Sequence, residues 1–352
     1  MGRPDDHRGA REPGSDTSDT SDASGTDPVI SLIVPIFDAA DHLPQFLSLL
    51  DREARPEVEV IFVDDASTDA TPTLLEAFRA AATAWSVRVV TLAENGGAGV
   101  ARRAGLAPAR GRYLMWLDVD DEPVAGTFDL ALAAAADTEP GTVVVFDYRY
   151  HWKDGRSKHN AGMTAQHHVG LEPSVRALLR REISPYMWNK LVPREGLRNE
   201  HFATRRNGQD WLTLVNIFAV HPRVRHVPRV LVDYVQQPGT LSRSTDLVAY
   251  SSPTDGLIAQ MRALLHEHGL WPACERDFSL WFVPRIGANT ALASARRDEP
   301  GPDDTLPQVA AQLHRQLSSA QLRKALAFGD RSAAAALWLL RLSSRQFRRV
   351  VR

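Results

Sequence analysis

From Val29 onward the chain alternates short apolar runs with stretches whose apolar residues recur at helical spacing. "VISLIVPIF" is continuous and rich in β-branched residues, the pattern of a strand covered on both faces. Asp38 offers a cap for the next helix, with Asp41 in support, and Leu43, Phe46, Leu47 and Leu50 then share one helical face. "VEVIFVDD" predicts a second strand, and "DASTDATPTLLEAF" a second helix with Pro72 early, where a helix tolerates it. "VRVVTL" and "RYLMWLD" predict two more strands around a helix that begins in the Gly-rich "NGGAGVARRAGLAPA". "AGTFDLALAAAA" reads as helix and "TVVVFDYRY" as strand. After about residue 150 the pattern loosens. "SVRALLRR" predicts a short helix and "WNKLVPREGL" a strand and turn; "GQDWLTLVNIFAV" predicts a helix with Trp211, Leu214, Val215 and Phe218 on one face. "VPRVLVDYVQQ" predicts a strand, and from about Leu247 the chain is mainly helical, broken by "RRDEPGPDDTLP". No internal repeat is present.

Such alternation predicts βαβ units, a mostly parallel sheet and right-handed crossovers. Ligands of these sheets sit beyond the carboxyl ends of the strands. The polar clusters fall there: Asp64 and Asp65 after the second strand, Asn95 to Gly97 after the third, Asp118 to Asp121 after the fourth. Asp118 ends an apolar run, and on an extended chain Asp120 points the same way. Two carboxylates so close need something positive between them. Mg²⁺ or Mn²⁺ prefers such hard oxygen ligands and completes its shell with water and substrate phosphates. The glycines fail as a dinucleotide fingerprint, because Arg102 stands where the third glycine belongs and the motif follows the wrong strand. No GxxxxGK[ST] loop occurs.

Composition narrows the classes. The 352 residues are 43% hydrophobic, enough for a sizeable core, and the net charge of −2 gives no general attraction to nucleic acid. One cysteine, Cys274, excludes an internal disulfide framework, fits a reducing compartment, and reads as a small buried hydrophobe. The Asp-, Ser- and Thr-rich residues 1–28 read as a disordered tail without the apolar core of a secretory signal. No apolar stretch reaches the ~20 residues that cross a bilayer. The last 22 residues, from Arg331 to Arg352, contain six arginines and no acid, with Leu337, Leu340, Phe347 and Val351 among them. That pattern suits either a packing helix with a solvated basic face or a helix lying on anionic lipid.

Four stretches, "SLIVPIFDAADHL", "VEVIFVDDASTDAT", "NGGAGVARRAG" and "YLMWLDVDDEP", carry a resemblance to the family 2 glycosyltransferases in that family's order and spacing. "WNKL", "NGQDW" and "YVQQPGTLS" are similar to its acceptor-side elements, so the resemblance spans roughly Val29 to Ser242. It implies the α/β GT-A fold of nucleotide-diphospho-sugar transferases: a mostly parallel sheet flanked by helices, here with a helical C-terminal extension. The expected division is a tail over 1–28, a transferase domain over 29–242 with nucleotide and acceptor halves at 29–123 and 124–242, and a helical region over 243–352. By position, the resemblance implies that Pro35 and the residues after it line the base and ribose pocket and that Asp64 and Asp65 contact uracil or ribose. It sets Arg102 on the helix facing the nucleotide, Asp118 against ribose or metal, Asp120 as metal ligand, and Asp210 as general base. The implied cofactor is Mn²⁺ or Mg²⁺, the donor a UDP-sugar, and the acceptor a saccharide or lipid-linked glycan. The implied reaction is inverting, at the cytoplasmic side of envelope or exopolysaccharide assembly, peripheral to the inner membrane face if the basic C-terminus binds lipid. Three positions depart from the pattern: Asp38 replaces the usual Asn, Gln209 the usual Glu before the base, and "YVQQPGTLS" lacks a His or Arg. Two other classes share parts of these features. A sugar-nucleotide nucleotidyltransferase needs a basic Gly-rich loop after the first strand, which "VPIFDAADHL" lacks, and a non-catalytic binding module has no need of Asp118, Asp120 and Asp210 together.

Overall fold

A computed structural model describes residues 27–152, 155–205, 208–236, 256–283 and 286. The strands are β1 (Ile30–Ile36), β2 (Val58–Asp64), β3 (Ser86–Thr91), β4 (Tyr113–Trp116), β5 (Glu122–Pro123), β6 (Thr142–Trp152), β7 (Ser157–Asn160), β8 (His167–Val169), β9 (Lys190–Pro193) and β10 (Arg223–Gln236). The helices are α1 (Leu43–Arg52), α2 (Thr71–Ala81), α3 (Ala98–Ala104), α4 (Thr127–Ala136), α5 (Leu171–Arg180), α6 (Gln209–Val220), α7 (Leu257–Glu267) and α8 (Trp271–Asp277). The basic C-terminal stretch, "YVQQPGTLS" beyond Gln236, and all but the last two residues of the acidic N-terminal tail lie outside the described residues.

One sheet runs in the order β3-β2-β1-β4-β9-β6-β10-β5, with β7 on β6 and β8 on β10. Strands β3, β2, β1 and β4 are parallel neighbours, and β6 pairs parallel with β10. Short β9 is wedged antiparallel between β4 and β6, so the two parallel halves still point the same way. Strands β1, β2, β3, β4, β6 and β10 thus run the same way, as expected of a mostly parallel sheet, divided by reversed β9, with short β5, β7 and β8 also running against them.

Alternate residues of β1 feed two cores, as the period of a strand requires. Ile33 joins Ile61, Val63, Leu114 and Trp116 under the C-terminal helices, while Leu32 and Val34 join Val60, Phe62 and Met115 under α1, α2 and α4. Leu43, Phe46, Leu47 and Leu50 are the buried face of α1, as their spacing predicts. The start of α1 differs from expectation: its N-cap is His42, not Asp38. Asp38 has a positive φ of 44°, donates its amide to Ser67 Oγ and accepts from the Thr68 amide. It ties the loop after β1 to the loop after β2 instead of starting a helix. Cys274 is fully buried, as expected, and burial pushes its thiol up to about 12.

The C-terminal helices are stapled to α5 by charge. Asp277, buried at the end of α8, accepts from Arg176 and from both Nε and Nη2 of Arg180. Lys190, at the start of β9, is also fully buried. Its ammonium donates to Ser184 O, Ser184 Oγ, Tyr186 O and Asn189 Oδ1 at 2.6–3.1 Å. Burial holds that ammonium well below its ordinary range, against the pull of Asp210. Because it fastens the turn before β9, Lys190→Met leaves several buried acceptors empty. The expected loss is about 3 kcal/mol of stability by denaturant titration, at ~1–3 kcal/mol per unsatisfied group.

Candidate active site

The carboxyl ends of β1, β2 and β4 open on one side of the sheet, and the sequence-predicted acids collect there. Pro35 is buried within β1, while Phe37 just beyond it is 46% exposed. Asp64 ends β2 fully buried; its Oδ1 accepts from the Ser67 amide and its Oδ2 has no partner. The next two residues turn sharply, with Ala66 at a φ of 61°, a left-handed backbone that costs an L-residue about 1–2 kcal/mol. Asp69, also in this loop, precedes the N-cap residue Ala70 of α2 and accepts from the Thr71 amide at 2.9 Å.

Asp65 has a different job. Its two oxygens accept from the amides of Gly96 and Gly97 at 2.8 and 2.6 Å. The Gly-rich loop therefore cradles an anion, as such loops do, but the anion is the protein's own carboxylate. Gly97 has a φ of 83°, the left-handed region that favours glycine, and a Cβ on Gly99 would meet Ala203 O at 2.6 Å. That close approach sets α3 directly against the segment leading into α6.

Arg102 crosses the seam so formed. It is 5% exposed on α3, and its guanidinium donates Nη2 to Asp118 Oδ1 and Nη1 to Asp210 Oδ1, both at 2.7 Å. Burial alone would lower this guanidinium; the charges of Asp118 and Asp210, with Asp121 behind them, hold it above its ordinary value. Asp210 lies in the first turn of α6, where the helix dipole favours a carboxylate. Its second oxygen faces the Met187 amide at 3.4 Å. Burial raises the Asp210 carboxyl above the usual carboxylate range, with Arg102 opposing.

The acidic loop does not continue as an extended chain. After Trp116 it turns, the Asp121 amide donating to Asp118 O at 3.0 Å. Asp118 and Asp120 stay at the surface of the cleft, while Asp121 swings inward to 1% exposure. Neither Asp121 oxygen has a hydrogen-bond partner; the Val235 amide favours its charge without closing a bond. Burial and the charges of Asp118 and Asp120 push its carboxyl well above the ordinary value. Asp120 is raised to about 6 by burial and by Asp118, with His42 and Arg102 opposing. His42, Gln45, Val119, Asp120, Asp121 and Glu122 line a shallow cleft beside α1. Sequence reasoning counted Asp121 among the acids without giving it a role, and nothing in the local pattern marked it for burial.

Because the folded Asp120 carboxyl titrates near 6 against an ordinary 3.8, the metal-free protein holds an extra proton between those values. The stability from this proton is fully present below the lower value and is lost as pH rises through the upper one. Asp120→Asn, which cannot ionise, is therefore expected to exceed the wild type by about 2 kcal/mol at pH ~7.5 without divalent cation. The advantage shrinks toward pH ~5. Paired denaturant titrations at the two pH values read this; a pH-independent difference would contradict it.

The comparisons with known proteins agree on the class. A profile of "Glycosyl transferase family 2" matches residues 31–207, half of the chain, which includes the donor-side acids and Arg102 but not Asp210. The chain belongs to glycosyl transferase family 2. Among curated members, it is 23% identical over 225 residues to glycosyltransferase GlyG of Streptococcus pneumoniae, covering 61% of this chain and 73% of that one. It is 28% identical over 251 residues to the succinoglycan biosynthesis protein ExoO of Rhizobium meliloti, covering 69% and 70% respectively. In three dimensions it is similar to a crystal structure of Staphylococcus aureus TarS residues 1–349 with UDP-GlcNAc. That match has a TM-score of 0.62 at 21% identity and covers 90% of this chain and 91% of that one. The fold is thus GT-A type and the protein a glycosyltransferase. No helix among the described residues is long and apolar enough to cross a membrane.

Proposed function

We propose that this family 2 glycosyltransferase moves a sugar from a nucleoside diphosphate to a hydroxyl of a glycan acceptor, with a divalent cation and with inversion at the anomeric carbon. The observation that carries the reading is the Arg102 bridge, one guanidinium 2.7 Å from both Asp118 and Asp210. It holds the donor-side and acceptor-side carboxylates in a single site.

The donor residues suit the diphosphate nucleotide. Phe37 and the loop after Pro35 stand at the mouth of the base pocket, and Asp64 Oδ2 is the oxygen left for a donor on the base or ribose. Asp65, whose two oxygens each take one glycine amide, shapes this pocket and keeps a lone pair on each oxygen for uracil or ribose.

The cation fits the acids of the loop. Asp118 gives only one oxygen to Arg102, and Asp120 is raised by burial and then by the Asp118 charge, a cost that a divalent ion removes. Asp118 and Asp120 would hold it. Among the described residues no three His, Cys, Asp or Glu side chains are arranged to bind a metal alone, so diphosphate oxygens and water would complete the shell. When bound, such a cation supplies Lewis-acid stabilisation of the departing diphosphate.

The chain's own residues supply the rest. Asp210 takes the proton of the attacking hydroxyl. Its raised affinity for protons makes it a better acceptor, and Arg102 keeps it ionised until the acceptor arrives. Among the described residues the two further acceptor-half carboxylates, Asp147 and Asp233, are closed in by His159, His226 and Arg149, and we assign no protein nucleophile. A single displacement follows, and the sugar inverts.

ExoO is a succinoglycan biosynthesis protein and TarS a poly(ribitol-phosphate) β-N-acetylglucosaminyltransferase, and by that similarity we assign this chain to surface or extracellular polysaccharide assembly, with UDP-sugars the first donors to try. The basic segment from Arg331 to Arg352 would then hold it against anionic lipid. A screen of UDP- and GDP-sugars with Mn²⁺, scored by released nucleoside diphosphate, tests the reading. Release from at least one UDP-sugar is expected; no release from any donor with Mn²⁺ or Mg²⁺ would overturn it.

A further inference from the structure

Helix α5 ends in a way its sequence does not favour. The Glu182 amide bonds back to Ala177 O and the Arg181 amide to Leu178 O, the paired bonds of a Schellman cap. The residue at the turn of that cap is normally glycine, since it must be left-handed. Here it is Arg181, with a φ of 63°. A strained backbone at a non-glycine residue persists where its side chain is needed.

That side chain enters a cluster of aromatic rings. Its guanidinium lies 5.5 Å from the centroid of the Tyr186 ring, beside the hydroxyls of Tyr148 and Tyr186. The Tyr150 hydroxyl is 3.2 Å from that of Tyr186. Tyr186 stacks on Trp188 at 4.7 Å, which stacks in turn on Tyr234 at 5.3 Å. Tyr150, Tyr186 and Arg181 are half-buried, so the cluster has a solvent-facing side. Arg181 has no carboxylate within ion-pair distance among the described residues, unlike its neighbours Arg176 and Arg180, which share Asp277. The more a guanidinium is withdrawn from water, the more an anionic partner stabilises it. Phenolic hydroxyls can donate to an anion, and a guanidinium is the planar fork that suits phosphate or carboxylate.

The cluster adjoins the base. Met187, whose amide faces Asp210, follows Tyr186 directly, and the charges of Arg181 and Asp210 are both felt at Lys190.

We propose that Arg181, with the hydroxyls of Tyr148, Tyr150 and Tyr186, receives an oxyanion carried by the acceptor, a phosphodiester or a sugar carboxylate, next to the hydroxyl that Asp210 activates. The assignment of that anion to the acceptor rests on the glycosyltransferase reading above; the anion site itself does not. The acceptor is then an acidic glycan or a polyol-phosphate chain, and the enzyme discriminates against neutral ones.

The test is a fluorescence titration of the full-length protein, since Trp188 and the tyrosines report on their own cluster. The donor site is first filled with UDP and Mn²⁺. Glycerol 3-phosphate and galacturonate are the probes, glycerol and galactose the neutral controls. A saturable response to one anion and not to its control is expected, and whichever anion responds names the source. Arg181→Gly supplies the residue the cap prefers, so it is expected to fold with an unchanged or higher Tm while its apparent Kd rises by about tenfold or more, the usual worth of a charged hydrogen bond. Arg181→Lys, which keeps the charge, should fall between the two. No anion response in the wild type, an equal response in Arg181→Gly, or an equal response to the neutral controls would each overturn the proposal. A UDP that fails to bind would instead count against the glycosyltransferase reading and leave the anion result to be judged alone.

Discussion

Asp210→Asn is expected to lower turnover by about 10²–10⁴-fold, the usual worth of a positioned base. Asparagine keeps an oxygen for Arg102, so the bridge at 2.7 Å and the seam between α3 and α6 survive, and donor binding stays near normal. What is lost is the ability to take a proton. The wild-type profile carries the complementary sign. Burial raises Asp210, so activity should fall on the acid side at a pH above the ordinary carboxylate range. The measurement is released nucleoside diphosphate with a working acceptor, in both variants across pH. Turnover within a few-fold of wild type would move the base elsewhere, although the two nearest rivals are poor ones. Asp233 is clamped by Nε and Nη2 of Arg149, and Asp147 is held by Gly162, His159 and His226.

Arg102→Leu is expected to cost about 3 kcal/mol of stability, because removing one partner of a buried ionic set leaves the others uncompensated. The figure is set below the fully buried case, since the side chains of Asp118 and Asp210 retain 28% and 19% exposure. The sign against pH is fixed by the same charges. Without the guanidinium that opposes its burial, Asp210 titrates higher still in the folded state, so the deficit is greatest near neutral pH and closes on acidification. Denaturant midpoints at two pH values read it. A loss under ~1 kcal/mol, within the range of exposed ion pairs, would mean that Arg102 is a surface pairing and not the tie between the two halves of the site.

Much of this architecture is legible in local pattern. The continuous runs at β1, β2 and β4 mark buried strands, the spacing of Leu43 to Leu50 marks the inward face of α1, and the acids at strand ends locate the cleft because parallel sheets bind ligands there. The reversed strand β9 is less so, since four residues carry no directional signal. Contacts made across the chain are invisible to periodicity. Arg102 meets a partner 108 residues away, and Asp65 meets the glycines 31 and 32 residues on. Backbone turns hide the remainder. The pattern of "WLDVDDEP" suits a strand through Asp120, yet one turn after Trp116 buries Asp121, and no propensity scale places a left-handed φ on Asp38, Ala66 or Arg181. These departures from local preference fall in the loops after β1 and β2 and at the end of α5.

Calorimetry of UDP with Mn²⁺ against the wild type and Asp120→Ala tests the central claim most directly. In the wild type, binding should appear with Mn²⁺ and vanish with chelator; in Asp120→Ala it should be lost with the cation present, while the unfolding midpoint of the variant is at or above that of the wild type. UDP affinity that is the same in both proteins, or indifferent to Mn²⁺, would contradict the assignment of the acidic loop to a metal-held diphosphate.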